Sequence, residues 1–339
     1  MLMTSRLKEV IMEEISDITS DTVNKLKKLN INSVYQLAVQ SPAELASEYE
    51  DTSLNLESAS RLVANARKIL IDNEVLSQEF LTADDLLEKR NKLSRYATGS
   101  QSFDNLMNGG FETQAITELV GEFGSGKSQI CHTLCVAASQ LIKNDSGNMI
   151  FVDSENTFRA DRVHQIAEQR GFDPLPILER IFHCKVYSSE HLEAVINDLD
   201  KSIEQYNAKL VIIDSIISLH RAEYSGRGTL AERQQKLGKM LNKLRRYADV
   251  YNIAIVITNQ IVSYPDVTHP GFDSVKAAGG NIMGHGFTYR IFLRKSGKNR
   301  VATMFDSPSQ PFQHVKFSIS ESGIQDAISY KTDGSDSDW

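Results

Sequence analysis

The segment Gly121-Glu122-Phe123-Gly124-Ser125-Gly126-Lys127-Ser128 fits the pattern G-x-x-x-x-G-K-[ST], directly after an apolar run and directly before a helical one. Glycines let successive backbone N–H groups turn inward around a phosphate chain, and the following helix aims its positive N-terminal end at the same anion. In that setting Lys127 is expected to reach the terminal phosphates of ATP, and Ser128 to ligate Mg²⁺. Leu210-Val211-Ile212-Ile213-Asp214 reads as a buried strand ending in a carboxylate, so Asp214 is expected to hold the same Mg²⁺ directly or through water. Hydrolysis also needs a group to orient or deprotonate water. Glu155, just beyond the strand-like run 149–153, is the leading candidate; Asp153 is its rival, and a solvated loop acid is the plain alternative. Gln260 follows the run ending at Thr258, where its amide could sense the γ-phosphate; read alone it is equally an ordinary loop glutamine.

These residues need a scaffold that brings strand ends together. The apolar runs 116–120, 149–152, 210–213 and 253–258 alternate with longer helical patterns, which specifies a mostly parallel sheet flanked by helices. Between the strand-like runs 290–294 and 301–305, Ser296-Gly297-Lys298-Asn299 reads as a hairpin turn, so the sheet is expected to end antiparallel. Residues 7–72 carry apolar positions at three-to-four spacing, among them Val23, Leu26, Leu62, Val63, Ala66 and Leu70, and predict a small all-α unit. The organisation expected is a helical N-terminal domain over 1–72, a polar linker over 73–95 with the conspicuous pair Phe80 and Leu81, an α/β core over 96–330, and an acidic tail over 331–339.

A chain of 339 residues with 41% hydrophobic and 24% charged content has the composition of an ordinary folded protein and is long enough for two domains. The net charge of -7 excludes a uniformly basic coat, so any nucleic-acid site must be a local patch. Three cysteines, Cys131, Cys135 and Cys184, are too few and too odd in number for a disulfide framework and suit a reducing interior. Cys131, His132 and Cys135 imitate a metal cluster, but they fall on the helix after the phosphate loop, where core packing is the expectation. The first residues lack the charged-then-apolar pattern expected of a secretory signal, and no apolar run approaches the roughly 20 residues needed to span a bilayer. A soluble, intracellular protein is expected.

Several further segments together resemble the RecA-type recombinases of the archaeal RadA branch, along nearly the full chain. They are Gly109-Gly110-Phe111-Glu112-Thr113, Phe151-Val152-Asp153-Ser154-Glu155-Asn156-Thr157-Phe158-Arg159, Glu223-Tyr224-Ser225-Gly226-Arg227-Gly228 and Gly279-Gly280-Asn281. The resemblance implies a RecA-like ATPase core in which Glu155 activates water, Arg162 stacks on adenine and Gln260 couples nucleotide state to a DNA loop. It implies a first DNA loop over 221–234, with Arg221, Arg227, Arg233 and Gln234 as contacts, and a second over 262–280 that includes Gly279 and Gly280. From the residues alone, these arginines read rather as a charged helix face. Phe80-Leu81-Thr82-Ala83 is similar to the family's Phe-x-x-Ala polymerisation motif, in which Phe80 and Ala83 dock on a neighbouring subunit. Asp273 and His285 resemble residues that touch the neighbour's nucleotide across that contact.

The implied activity is a DNA-dependent ATPase that binds single-stranded DNA as a helical filament and exchanges strands with homologous duplex DNA. Self-association into filaments or rings, contacts with recombination mediators and a cytoplasmic, nucleoid-associated location come with it, and no membrane. The alternatives are a paralogue that regulates a filament without exchanging strands, or a ring-forming motor. Two departures stand out. Ile15-Ser16-Asp17-Ile18-Thr19-Ser20 lacks the glycines of the family's helix-hairpin-helix turn, which leaves duplex binding there unsupported, and the prolines common around Asp273 are missing.

Overall fold

The computed structural model describes residues 15, 18–47, 54–224, 230–263, 275–277 and 286–327. Arg227, Asp273, Gly279, Gly280, His285 and the acidic tail therefore lie outside the described residues.

The described chain opens on helices α1 (Ser20–Lys28), α2 (Val34–Ala38), α3 (Pro42–Ser47) and α4 (Leu56–Asp72). Local chemistry sets their starts: Thr19, Ser33 and Asn55 each accept a backbone N–H three residues on, as N-caps do. The apolar stripe read from the sequence faces inward, with Val23, Leu26, Leu62, Val63, Ala66 and Leu70 all buried. Helix α5 (Ala83–Asn91) follows, closed at its start by a reciprocal capping box between Thr82 and Asp85 and burying none of its residues.

Next come β1 (Arg95–Tyr96), α6 (Gln101–Leu106) and β2 (Phe111–Glu112), with β1 and β2 paired antiparallel. The core then alternates strand and helix: β3 (Ala115–Gly121), α7 (Lys127–Ile142), β4 (Asn148–Asp153), α8 (Ala160–Gln169), α9 (Pro174–Leu178), β5 (Ile181–Lys185), α10 (Ser189–Asn197), α11 (Leu199–Tyr206), β6 (Ala208–Asp214), α12 (Ser218–Glu223), α13 (Leu230–Val250) and β7 (Ala254–Asn259). A short ribbon of β8 (Ile261–Ser263) and β9 (Val275–Ala277) precedes β10 (Tyr289–Ser296), β11 (Asn299–Asp306), β12 (Gln313–Ser320) and β13 (Gly323–Asp326).

Nine strands form the main sheet in the order β13-β12-β11-β10-β3-β7-β6-β4-β5, parallel from β10 to β5 and antiparallel from β10 to β13. Strands β3, β4, β6 and β7 are near-continuous apolar runs because helices cover both faces of the sheet. The antiparallel end begins at the hairpin expected from Ser296 to Asn299, with Gly297 in the left-handed region that such a turn requires. Crossover helices return the chain so that β3, β4, β6 and β7 all end at one edge, where ligands of open α/β sheets sit.

The N-terminal helices pack on α11, α13 and the turn after α13. Tyr35 of α2 stacks on Tyr251 at 5.5 Å, and Ser33 Oγ and Tyr251 Oη both donate to Glu204 Oε1, at 2.5 and 2.9 Å. Arg246 Nε donates to the Val39 carbonyl at 2.6 Å. Truncating Tyr35 to Ala empties the centre of this seam and is expected to cost about 3 kcal/mol. The urea midpoint should fall, and limited proteolysis should cut between α4 and α5; an unchanged midpoint would contradict the seam's role.

Candidate functional site

The phosphate loop joins β3 to α7. Gly124 and Gly126 hold φ of +75° and +108°, a conformation that L side chains rarely adopt. A Cβ at Gly121 would lie 2.5 Å from Leu293 O and Ser125 Oγ, so the first glycine is fixed by close approach. Ser125 Oγ is buried with no partner, and Lys127, 8% exposed, turns its Nζ onto the Gly121 and Glu122 carbonyls at 2.8 and 3.1 Å. Desolvation lowers the Lys127 pKa, and the nearby Asp214 and Glu155 carboxylates partly offset it. A buried cation leaning on carbonyls, beside an orphan hydroxyl at a helix N-terminus, is a site that a polyphosphate completes.

Asp214, at the end of β6, is 1% exposed. Its Oδ2 accepts from Ser128 Oγ and from Thr157 Oγ1, each at 2.7 Å, and its Oδ1 accepts from Thr258 Oγ1. Among the described residues no group of three or more His, Cys, Asp and Glu could hold a metal. One hydroxyl and one carboxylate fit Mg²⁺, which keeps several waters and shares the rest of its shell with phosphates.

Beside this pair stands Glu155. Its Oε1 accepts from Ser215 Oγ at 2.8 Å and from Gln260 Nε2 at 2.9 Å, so one carboxylate oxygen joins the loops after β4, β6 and β7. Asp153, the rival from the sequence, is otherwise employed: it is 1% exposed and accepts the backbone N–H groups of Glu155, Thr157 and Phe158 at 3.0 to 3.2 Å. It shapes the loop that presents Glu155. Lys127, Ser128, Glu155, Thr157, Arg162 and Gln260 line one cavity of about 920 Å³.

The match to the Rad51 family model runs over residues 89–327. Over 319 residues, 93% of this chain and 79% of the other, the sequence is 40% identical to the DNA repair and recombination protein RadA of Cenarchaeum symbiosum (strain A). The chain belongs to the Rad51 family.

In this Rad51-family chain the parallel sheet and its antiparallel extension form a RecA-like core. Arg162 lines the same cavity, its guanidinium donating to the Ser320 and Glu321 carbonyls and to the Gln129 and Gln165 side chains. Arg221 points along α12 to the same centre, with Nη1 3.4 Å from Gln260 Oε1. Arg233 Nη1 donates to the Tyr224 carbonyl at 3.4 Å, and Gln234 is half-buried beside it on α13. Glu122, Phe123 and Gly124 are exposed at the lip of the cavity, Phe123 at 95%. Phe80 is 90% exposed, just ahead of Ala83 at the start of α5, and remote from this centre in the chain. Cys131 and Cys135 pack in the apolar core, where burial pushes the Cys135 thiol up to about 12. Among the described residues no helix is long and apolar enough to cross a membrane.

Sequence reasoning missed Thr157 and Ser215. Each stands within two positions of a residue it did single out, so a search for hydroxyls flanking the strand-end acids would have found both. It also gave His132 no role beyond core packing. His132 Nε2 accepts the Arg159 N–H at 3.2 Å, clamping the Glu155 loop onto α7 between Phe151 and Phe158. Accepting requires a neutral ring, and burial lowers its pKa from 6.5 to about 4. The unfolded chain therefore binds the proton first, so stability present above pH 6.5 is lost as the pH falls toward 4. Urea denaturation of the wild type should lose about 2 kcal/mol more than His132→Gln between pH 7.5 and pH 5. Equal slopes for the two proteins would show that His132 is not the neutral clamp.

Proposed function

We propose that this chain is a DNA-stimulated ATPase that assembles on single-stranded DNA into a helical filament and exchanges strands with a homologous duplex. The observation that carries the reading is the shared carboxylate oxygen of Glu155, because Gln260 and Ser215 reach it from the two segments that lead to the candidate DNA loops. Family membership supports the wider activity, and the curated relative is named for DNA repair and recombination.

In this reading the loop amides of 121–128 and Lys127 bind the phosphates of ATP, and Arg162 faces the base. Magnesium, held by Ser128 and Asp214, would neutralise phosphate charge and orient the terminal group. Glu155 takes the proton of the attacking water, with Thr157 beside the metal-binding pair. Gln260 then chooses between Glu155 and the terminal phosphate, and its movement is felt by Arg221, 3.4 Å away at the root of the first loop. Arg221, Arg227, Arg233 and Gln234, with Gly279 and Gly280, follow DNA phosphates without reading sequence, which suits a protein that accepts any strand.

Filament growth rests on Phe80 and Ala83. An exposed phenylalanine needs a pocket, and β5 offers an edge strand whose Phe182 and Cys184 are only partly buried. A head-to-tail contact of this kind does not close on itself and builds a helix, with Asp273 and His285 reaching the neighbour's nucleotide. A regulator that cannot exchange strands is not favoured, since the linker motif and both loop segments are present.

Purified protein with ATP, single-stranded circles and homologous linear duplex should yield joint molecules, and Phe80→Ala should abolish them together with ATP-dependent light scattering. Scattering that persists in the variant would remove the tether, and a wild type that forms filaments but no joint molecules would favour the regulator.

A further inference from the structure

A buried ion pair in the sheet plays no part in the chemistry above. Glu118 of β3 is fully buried and Arg290 of β10 is 9% exposed; their Cα atoms face each other across the parallel pair, with Arg290 Nε 2.7 Å from Glu118 Oε2. Removing two charges from water is costly, and well-packed apolar residues of similar volume are often as stable as a buried ion pair. Stability alone is therefore a weak account of this one, and its remaining contacts supply a better account.

Glu118 Oε1 accepts from Asn259 Nδ2 at 2.6 Å, and Asn259 Oδ1 accepts the Gln260 backbone N–H at 2.7 Å. Asn259 is fully buried at the last position of β7. An ionised carboxylate only accepts, so Glu118 must face the amide nitrogen of Asn259, and the amide oxygen is then turned to Gln260. Burial raises the Glu118 carboxyl pKa and the Arg290 guanidinium beside it, which favours the ionised form, offsets this in part; that guanidinium lies over the Phe305 and Phe287 rings at 4.7 and 5.7 Å. Donation therefore converges on Glu118, from Arg290 on one side and from the Gln260 backbone through Asn259 on the other. The three strands involved are those that lead into the phosphate loop, into Gln260 and out of residues 278–288.

We infer that Glu118, Asn259 and Arg290 are positioning residues that set the backbone at Gln260, and through it the reach of the Gln260 amide to Glu155. The inference rests on the reading of Gln260 as the group that works with Glu155 in turnover.

The test is a cycle of Asn259→Ala, Gln260→Ala and the double variant, read by ATP turnover and by hydrogen exchange of the peptide spanning 259–261. Asn259→Ala should lower kcat with KM within about twofold, and the double variant should be no slower than Gln260→Ala alone, because one residue acts through the other. Its Gln260 amide should exchange at least about fivefold faster than wild type. Multiplying losses in kcat, or unchanged exchange, would overturn the inference. Glu118→Gln and Asn259→Asp provide a second check: the first alone sets amide nitrogen against amide nitrogen and the second alone sets carboxylate against carboxylate, whereas together they pair a donor with an acceptor again, with the bond reversed, and leave an acceptor for the Gln260 N–H, so the double variant should recover kcat and protection. Damage that accumulates instead would also overturn it. A wild type that folds but does not hydrolyse ATP would remove the functional reading, while the exchange measurement would still decide the positioning.

Discussion

One carboxylate oxygen, Oε1 of Glu155, is the point on which the rest of the cleft depends. It accepts from Ser215, one residue past the metal-binding candidate Asp214, and from Gln260, one residue past the end of β7. Parallel strands make this meeting possible, because only strands running the same way deliver their C-terminal ends to one edge. The phosphate loop, the acid and the sensor are thus products of one topological constraint. Moving any one of the loops changes the hydrogen bonding of the same oxygen.

Below this edge the molecule spends buried polarity on geometry. Asp153 folds the Glu155 loop around its own carboxylate, His132 clamps the far end of that loop to α7, and Glu118 with Arg290 orients Asn259 beneath Gln260. Each is a buried group bonded to a backbone N–H or to a charged or amide partner, where a low-dielectric setting makes such bonds strong. Their common effect is to hold Glu155 and Gln260 in place at the strand ends.

Legibility in the sequence followed distance along the chain. The phosphate loop was readable because its glycines and lysine are contiguous and their spacing has a single geometric cause. The sheet was readable because burial on both faces leaves continuous apolar runs, and the final hairpin because Gly297 sits between two of them. Glu155 could be placed ahead of Asp153 from its position beyond the strand, but that Asp153 turns inward onto the N–H groups of the loop appears only in the structure. Glu118 was invisible inside the run 116–120, and its partner Arg290 lies 172 residues away. Arg221 reads as a DNA-facing charge, and its contact with Gln260 appears only once α12 and β7 are side by side. The same holds for Tyr35 and Tyr251, whose stacking joins the helical unit to the core.

The central claim is that Glu155 is the base on which turnover depends, and Glu155→Gln tests it most directly because the amide preserves shape and accepts hydrogen bonds but cannot take a proton. Single-turnover hydrolysis with bound single-stranded DNA, measured beside nucleotide affinity, should fall by about two orders of magnitude or more while affinity stays near wild type. Hydrolysis within a few-fold of wild type would contradict the account.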